Sequence, residues 1–269
     1  MKVPEKSSKR QKPSNSTMVI GLEGWVNAGK VSTFTAKYLV DKIGAKKFCE
    51  ISADEFQDYM LYRPTVTVKD GLMQSYSPPK NEFYRSDATI TSQPFIIMLG
   101  HEPHRNWSKY VDSVLKAAKK ARVKLIFTCG GFLSDLPSQG QFMVSASTND
   151  EGMIPELKKA GVELTNYSGP TSIYSEMMIK AKRKGISVIS FWSPVPMYVS
   201  GIYPRGVYLI LEKILQLTGI KLDLSDLKKR METFEAEFQK ELGRQPDMRE
   251  LIEGFRERKT REKEPSYIF

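Results

Sequence analysis

Two clusters hold the residues best suited to chemistry. The first is Gly21-Leu22-Glu23-Gly24-Trp25-Val26-Asn27-Ala28-Gly29-Lys30, directly after the apolar run Met18-Val19-Ile20. A strand, a glycine corner and a helix in that order build anion or small-ligand sites, because the helix N-terminus presents free N–H groups. Gly24-x-x-x-x-Gly29-Lys30 also approaches the phosphate-binding loop pattern. That loop needs a hydroxyl directly after the lysine to hold Mg²⁺, and Val31 stands there instead. Trp25 is bulky for a loop that must wrap phosphate. The corner therefore reads as a tight strand-to-helix turn rather than a nucleotide-hydrolysing loop.

The second cluster is Gly100-His101-Glu102-Pro103-His104. Its histidines are three apart, with Pro103 preventing a helix through them, so they do not form the i, i+4 pair of a zinc protease. Cysteine pairs at zinc spacing are absent, and no metal site is expected. Glu23 and Glu102 both follow strand-like runs, so a carboxylate pair at a sheet edge is possible chemistry. Glu23, Gly24, Trp25, Asn27, His101 and Glu102 form the candidate pocket. None is assigned a catalytic role, and no cofactor is expected.

These clusters need a scaffold, and the chain alternates strand and helix patterns to supply one. Strands are expected at Met18–Leu22, Lys47–Ile51, Phe95–Leu99, Val123–Thr128, Phe142–Ala146, Val162–Leu164 and Ile186–Phe191. Helices are expected over Val31–Ile43, His104–Ala121, Ile154–Ala160, Thr171–Lys184 and Arg205–Leu217. Runs flanking Asp70-Gly71, from Pro64 to Tyr76, read as a hairpin. The pattern predicts an α/β fold, a mixed and mostly parallel sheet with helices on both faces. Ligands in such folds bind at the carboxyl ends of strands, where the glycine and polar clusters fall.

Beyond Gly219 the pattern changes. Leu224, Leu227, Met231, Phe234 and Phe238 step by three and four residues, as in a helical seam. Gly243 to Pro246 breaks it, and Asp247–Lys259 reads as the second helix of a C-terminal hairpin. Intramolecular packing and oligomer contact explain the seam equally well. The expected organisation is a basic disordered tail at 1–16, an α/β core at 17–220, a helical extension at 221–260 and a flexible tail at 261–269. That tail has an apolar end.

The chain has 269 residues, 40% hydrophobic and 27% charged, enough apolar content for a real core. No apolar run reaches membrane-spanning length, and the N-terminus lacks a secretion-signal core, so a cytoplasmic protein is expected. Two cysteines, Cys49 and Cys129, give no disulfide framework. The net charge of +10 raises nucleic acid as a partner. The excess lies in the first dozen residues and on scattered helix-face lysines, without base-stacking aromatics between them, so nucleic acid is not the expected partner.

Six segments in order resemble the proteasome assembly chaperone 2 family, most closely its archaeal branch. They are the corner Gly21–Gly29, Tyr62-Arg63-Pro64, Asn81-Glu82-Phe83-Tyr84, Leu99–His104 with Trp107, Tyr167–Thr171, and Trp192–Tyr198. The resemblance implies a nucleoside-phosphorylase-like α/β fold, homo-oligomers, and contact with proteasome core-particle subunits or a related chaperone paralogue. Proteasome-docking members end in a hydrophobic–tyrosine–any-residue tail. Here the end is Tyr267-Ile268-Phe269, with tyrosine one place out of register. Tyr267, Ile268, Phe269, Phe234 and Phe238 are accordingly the candidate partner-binding residues. The expected function is a non-enzymatic chaperone acting through protein contacts. The alternative is an enzyme or nucleotide-like small-molecule binder using the strand-end loops, such as an ATP-grasp-type ligase.

Overall fold

The computed structural model describes residues 16–87, 94–134, 143–197 and 199–244. Among the described residues there are ten strands: β1 Ser16–Glu23, β2 Lys46–Ser52, β3 Thr65–Lys69, β4 Leu72–Ser77, β5 Lys80–Arg85, β6 Phe95–His101, β7 Val123–Ser134, β8 Ser145–Thr148, β9 Glu163–Leu164 and β10 Ser187–Pro196. The α-helices are α1 Val31–Lys42, α2 Trp107–Lys120, α3 Ile154–Lys159, α4 Ile173–Arg183, α5 Pro204–Thr218 and α6 Ser225–Arg244. Eight strands form one sheet in the order β2-β5-β6-β1-β7-β10-β8-β9, and β3 and β4 form a separate hairpin.

The sheet is mixed. β6, β1, β7 and β10 run parallel at its centre, while β5 and β8 flank them antiparallel. The central strands are buried on both faces, and alternate residues enter opposite cores, as the period of two requires. Val19, Ile97, Phe127 and Ile189 face one core with α1, α5 and α6. Met18, Ile20, Ile96, Met98, Ile126 and Val188 face the other with α2 and α4. The alternating strand and helix patterns thus become a two-sided sheet, as expected.

The chain leaves β1 through α1 on one face and leaves the adjacent β6 through α2 on the other. Neighbouring strands whose helices depart to opposite faces open a crevice at their carboxyl ends. Glu23 ends β1 and His101 ends β6, paired in register. This is the reason the two sequence clusters meet.

Several elements differ from the sequence reading. β7 and β10 do not stop at Thr128 and Phe191; they stay paired from Trp192↔Gly130 to Pro196↔Ser134. Cys129-Gly130-Gly131 and Trp192-Ser193-Pro194 therefore lie inside strands. Gly130 explains why such sequences can pair: a Cβ there would sit 2.6 Å from the Trp192 ring, so only glycine lets the indole lie across it. The family-motif residues Asn81–Tyr84 belong to a true strand, β5, and α2 begins at Trp107 rather than His104. The part of the expected 142–146 strand that can be placed starts at Ser145, and Ser16 of the expected tail opens β1.

α6 follows the predicted seam. Leu227 is buried, while Leu224 and Phe234 pack against the α1/α5 core. Phe234 meets Tyr203 edge-on at 5.9 Å, Arg205 pairs with Glu235 at 2.8 Å, and Lys42 pairs with Asp226 at 2.7 Å. The first turns of the seam are thus spent inside the chain. The expected second helix, the 1–15 part of the basic tail, and Tyr267, Ile268 and Phe269 lie outside the described residues.

Candidate functional site

The corner after β1 is held by its own side chains. Asn27 is buried; its Nδ2 donates to Glu23 Oε2 at 2.8 Å and to Thr33 Oγ1 at 3.0 Å, and its Oδ1 accepts from Thr33 N at 3.0 Å. Lys30 Nζ lies 2.9 Å from Glu23 Oε1. Gly29 and Lys30 adopt left-handed φ of 55° and 51°, and a Cβ on Gly29 would stand 2.8 Å from Tyr203 and Val195. The corner is pressed against β10 and α5 rather than wrapped around space for phosphate. Its lysine, which a phosphate loop needs on the ligand, already neutralises a carboxylate.

Glu23 and His101 line an open cleft of about 590 Å³, together with Lys30, Tyr62, Arg63, Lys80 and Glu82. Burial pushes the Glu23 carboxyl up, but hydrogen bonds from Lys30 and Asn27, and the Lys30 charge, outweigh it and hold the group below the ordinary carboxylate range. Burial pushes the Tyr62 hydroxyl up to about 12, with the Glu23 charge adding to it. The Tyr62 ring packs edge-on against His101 at 4.9 Å and lies 6.1 Å from the His104 ring. Burial lowers the His101 pKa, and its contacts with the Lys80 carbonyl and Glu23 offset only part of that. His104 Nδ1 instead accepts from Asp58 N at 3.1 Å. The two histidines therefore serve different contacts rather than one metal. Among the described residues no group of three or more His, Cys, Asp or Glu side chains gathers in metal-binding geometry.

Glu102 turns away from this cleft. Its Oε2 accepts from Trp25 N and its Oε1 from Ile173 N, both at 3.0 Å, and its backbone N–H donates to Glu23 O at 2.7 Å. Burial raises its pKa, although the Ile173, Trp25 and Val26 N–H groups work against that rise. Glu23 and Glu102 are thus neighbours through the backbone, and their carboxylates have separate partners. An acid/base pair that shares one proton does not form. Gly24, Trp25 and Glu102 border a second depression of about 490 Å³ with His104 and Trp107. Of the six pocket candidates, then, Glu23 and His101 share the first cleft, Gly24, Trp25 and Glu102 share the second, and Asn27 lies buried as a strut between Glu23 and Thr33.

Sequence reasoning did not single out Lys80, Glu82 or Arg63 for the cleft. Tyr62-Arg63-Pro64 carried a signal as a motif segment, but nothing local tied it to His101. The hairpin was read correctly, and its surroundings were not legible. Asp70 and Gly71 have φ of 51° and 77°, the left-handed pair of a two-residue hairpin turn. Val66 pairs with Tyr76 and Val68 with Met73, while Thr67 pairs with Ser75 and Thr65 with Ser77. One face is therefore apolar, and the other carries hydroxyls with the Lys69–Leu72 pair next to the turn. Val66, Val68, Met73 and Tyr76 are each more than half exposed, as are Met60 and Leu61 just before β3.

A mixed α/β sheet with helices on both faces, a tight glycine corner after its central strand and a crevice where β1 and β6 end define the class of this protein. Within that class the chain belongs to the PAC2 family, whose family model matches residues 21–242. Solved structures agree. The Mycobacterium tuberculosis proteasome-assembly chaperone homologue is 25% identical with a TM-score of 0.77, covering 83% of this chain and 94% of that one. A PAC2 family protein from Streptomyces avermitilis is 24% identical with a TM-score of 0.74, covering 84% and 95%. Pyrococcus furiosus PbaB, an archaeal proteasome activator, is 20% identical with a TM-score of 0.65, covering 86% and 95%, and shares the fold. No curated protein matches the sequence.

Proposed function

We propose that this protein is a non-enzymatic chaperone of the proteasome-assembly kind, acting through protein–protein contacts. Its partners are proteasome core-particle subunits or a related chaperone paralogue, it self-associates, and it works in the cytoplasm. Family membership supports the class, together with the similarity to a proteasome-assembly chaperone homologue. The observation that carries the mode of action is the β3–β4 hairpin. Its apolar face is patterned for burial, yet Val66, Val68, Met73 and Tyr76 are exposed. Exposed contiguous apolar surface on a folded protein marks contact sites, and an isolated two-stranded hairpin is only marginally stable without packing. In this reading a protein surface covers that face.

Capture of purified proteasome α-subunits and core particles tests this reading. Wild type should retain them. The Val68→Ser, Met73→Ser double variant should retain several-fold less, while unfolding within about 0.5 kcal/mol of wild type, since exposed side chains contribute little to stability. Truncation before Tyr267 measures the share of the chain end in parallel. Failure of wild type to capture either target would sink the proteasome assignment.

A further inference from the structure

A third cleft, of about 270 Å³, is bordered by Trp25, which also borders the second depression. We propose that it binds a small uncharged ring compound bearing hydroxyls, of the nucleoside class. The proposal stands independently of the chaperone reading, because it concerns different residues and a different kind of ligand.

The walls are aromatic. Trp25, Trp192 and Tyr167 border the cleft, with the Tyr167 hydroxyl donating to Pro170 O at 2.8 Å and Trp192 packed edge-on against Tyr174 at 6.1 Å. Trp192 is further fixed by lying across Gly130. Trp192 and Tyr167 thus offer flat faces already ordered, so a base stacked on them would cost little further side-chain entropy. The opposite side is made of hydroxyls. Ser145 and Ser147 stand two apart on β8 and so share a sheet face, and Thr165 follows β9. The Oγ1 of Thr165 is buried and has no hydrogen-bond partner among the described residues. A buried hydroxyl left unpaired is costly, and Thr165 borders the cleft, so a ligand that shifts this side chain would supply the missing partner.

Charge decides the class. The described residues lining the cleft include no Asp, Glu, Lys, Arg or His. α4 starts beside it, and a helix N-terminus ordinarily attracts anions. Here that end is already taken: Glu102 Oε1 accepts from Ile173 N, and Ser172 caps Tyr174 N. A phosphate would meet no cation and a nearby carboxylate. One ring for the aromatic walls and hydroxyls for the serine–threonine side describe a nucleoside better than its monophosphate. The cleft lies along the carboxyl-terminal halves of β7 and β10, through Phe132 and Trp192, near the place where such sheets hold ligands.

Titration of the full chain with adenosine, guanosine, cytidine and uridine, followed by tryptophan fluorescence and calorimetry, tests this. At least one should bind saturably, and its 5′-monophosphate should bind at least several-fold more weakly. Trp25→Ala removes an exposed ring and should weaken binding about tenfold, the scale of one lost base stack. Thr165→Val keeps the shape and should weaken binding several-fold without lowering the unfolding temperature; a purely structural threonine would move stability and leave affinity alone. The proposal is overturned if no nucleoside saturates the protein at millimolar concentration. It is also overturned if a monophosphate or a simple monosaccharide binds as tightly as the nucleoside, or if both variants bind like wild type. None of these outcomes bears on proteasome capture.

Discussion

The Glu102 carboxylate caps α4 at Ile173: Oε1 accepts the Ile173 N–H at 3.0 Å across 71 residues of chain. The other oxygen accepts from Trp25 in the glycine corner, also at 3.0 Å. One side chain therefore holds together the turn after β1, the end of β6 and the start of α4. Gly24, with φ of 135°, makes this possible, because a Cβ there would stand 2.8 Å from the Glu102 Cβ.

Removing that clamp has a defined cost. Glu102→Ala leaves two backbone donors without their acceptor and should destabilise by about 2–3 kcal/mol in denaturant unfolding. Glu102→Gln keeps one acceptor and resembles the protonated acid that burial favours, so its cost should be smaller. The pH dependence follows from the raised folded-state pKa. Between the unfolded value, about 4.5, and the higher folded value, the native state binds more protons than the unfolded state. The wild-type contribution is therefore greatest below pH 4.5 and declines as pH rises through the folded pKa. Glu102→Gln has no such titration, so its stability relative to wild type should improve across that window. An unchanging gap from pH 4 to 8 would contradict the assignment.

Lys30 separates a structural corner from a phosphate loop. Its ammonium pairs with Glu23 while the side chain stays half exposed. Pairs of that kind are worth about 0–1 kcal/mol. Lys30→Met should thus change the unfolding free energy by less than about 1 kcal/mol and release the Glu23 carboxyl to titrate at higher pH. Wild type should gain no thermal stability from Mg²⁺–ATP. Stabilisation by the nucleotide that disappears in Lys30→Met would restore the phosphate-loop reading and the ligase alternative with it.

The corner illustrates how much of this site was legible from sequence. Gly21 to Gly29 announced a strand-to-helix turn through glycine spacing alone, and the Asp70-Gly71 hairpin through turn chemistry, since both signals are local. A Cβ on Gly21 would stand 2.3 Å from Ser32 O, a close approach of β1 and α1 that such a glycine permits. The partners of Glu102 were not legible, because Ile173 is far along the chain and nothing local marks a backbone donor. The same holds for Trp192, which the sequence pattern places just past a strand ending at Phe191. Pairing with β7 overrides that local signal as far as Pro196. Whether the apolar side of the hairpin was covered also depended on tertiary placement, which period-two alternation does not encode.

The α6 seam distinguishes packing within the chain from packing between copies. Leu227 is 2% exposed, with Phe234 beside it against Tyr203. Leu227→Ala should destabilise by about 2–4 kcal/mol, the range for truncating a buried leucine. Arg205→Ala, which removes a partly exposed ion pair with Glu235, should cost under about 1 kcal/mol. Amide exchange over 225–244 supplies the discriminating measurement, because local opening reports the contacts that close the helix. If Leu227 and Phe234 close α6 onto its own core, protection should be independent of protein concentration in wild type and fall sharply in Leu227→Ala. Protection that rises with concentration and vanishes on dilution would instead place the seam between copies, since an intermolecular contact weakens by mass action and an intramolecular one does not.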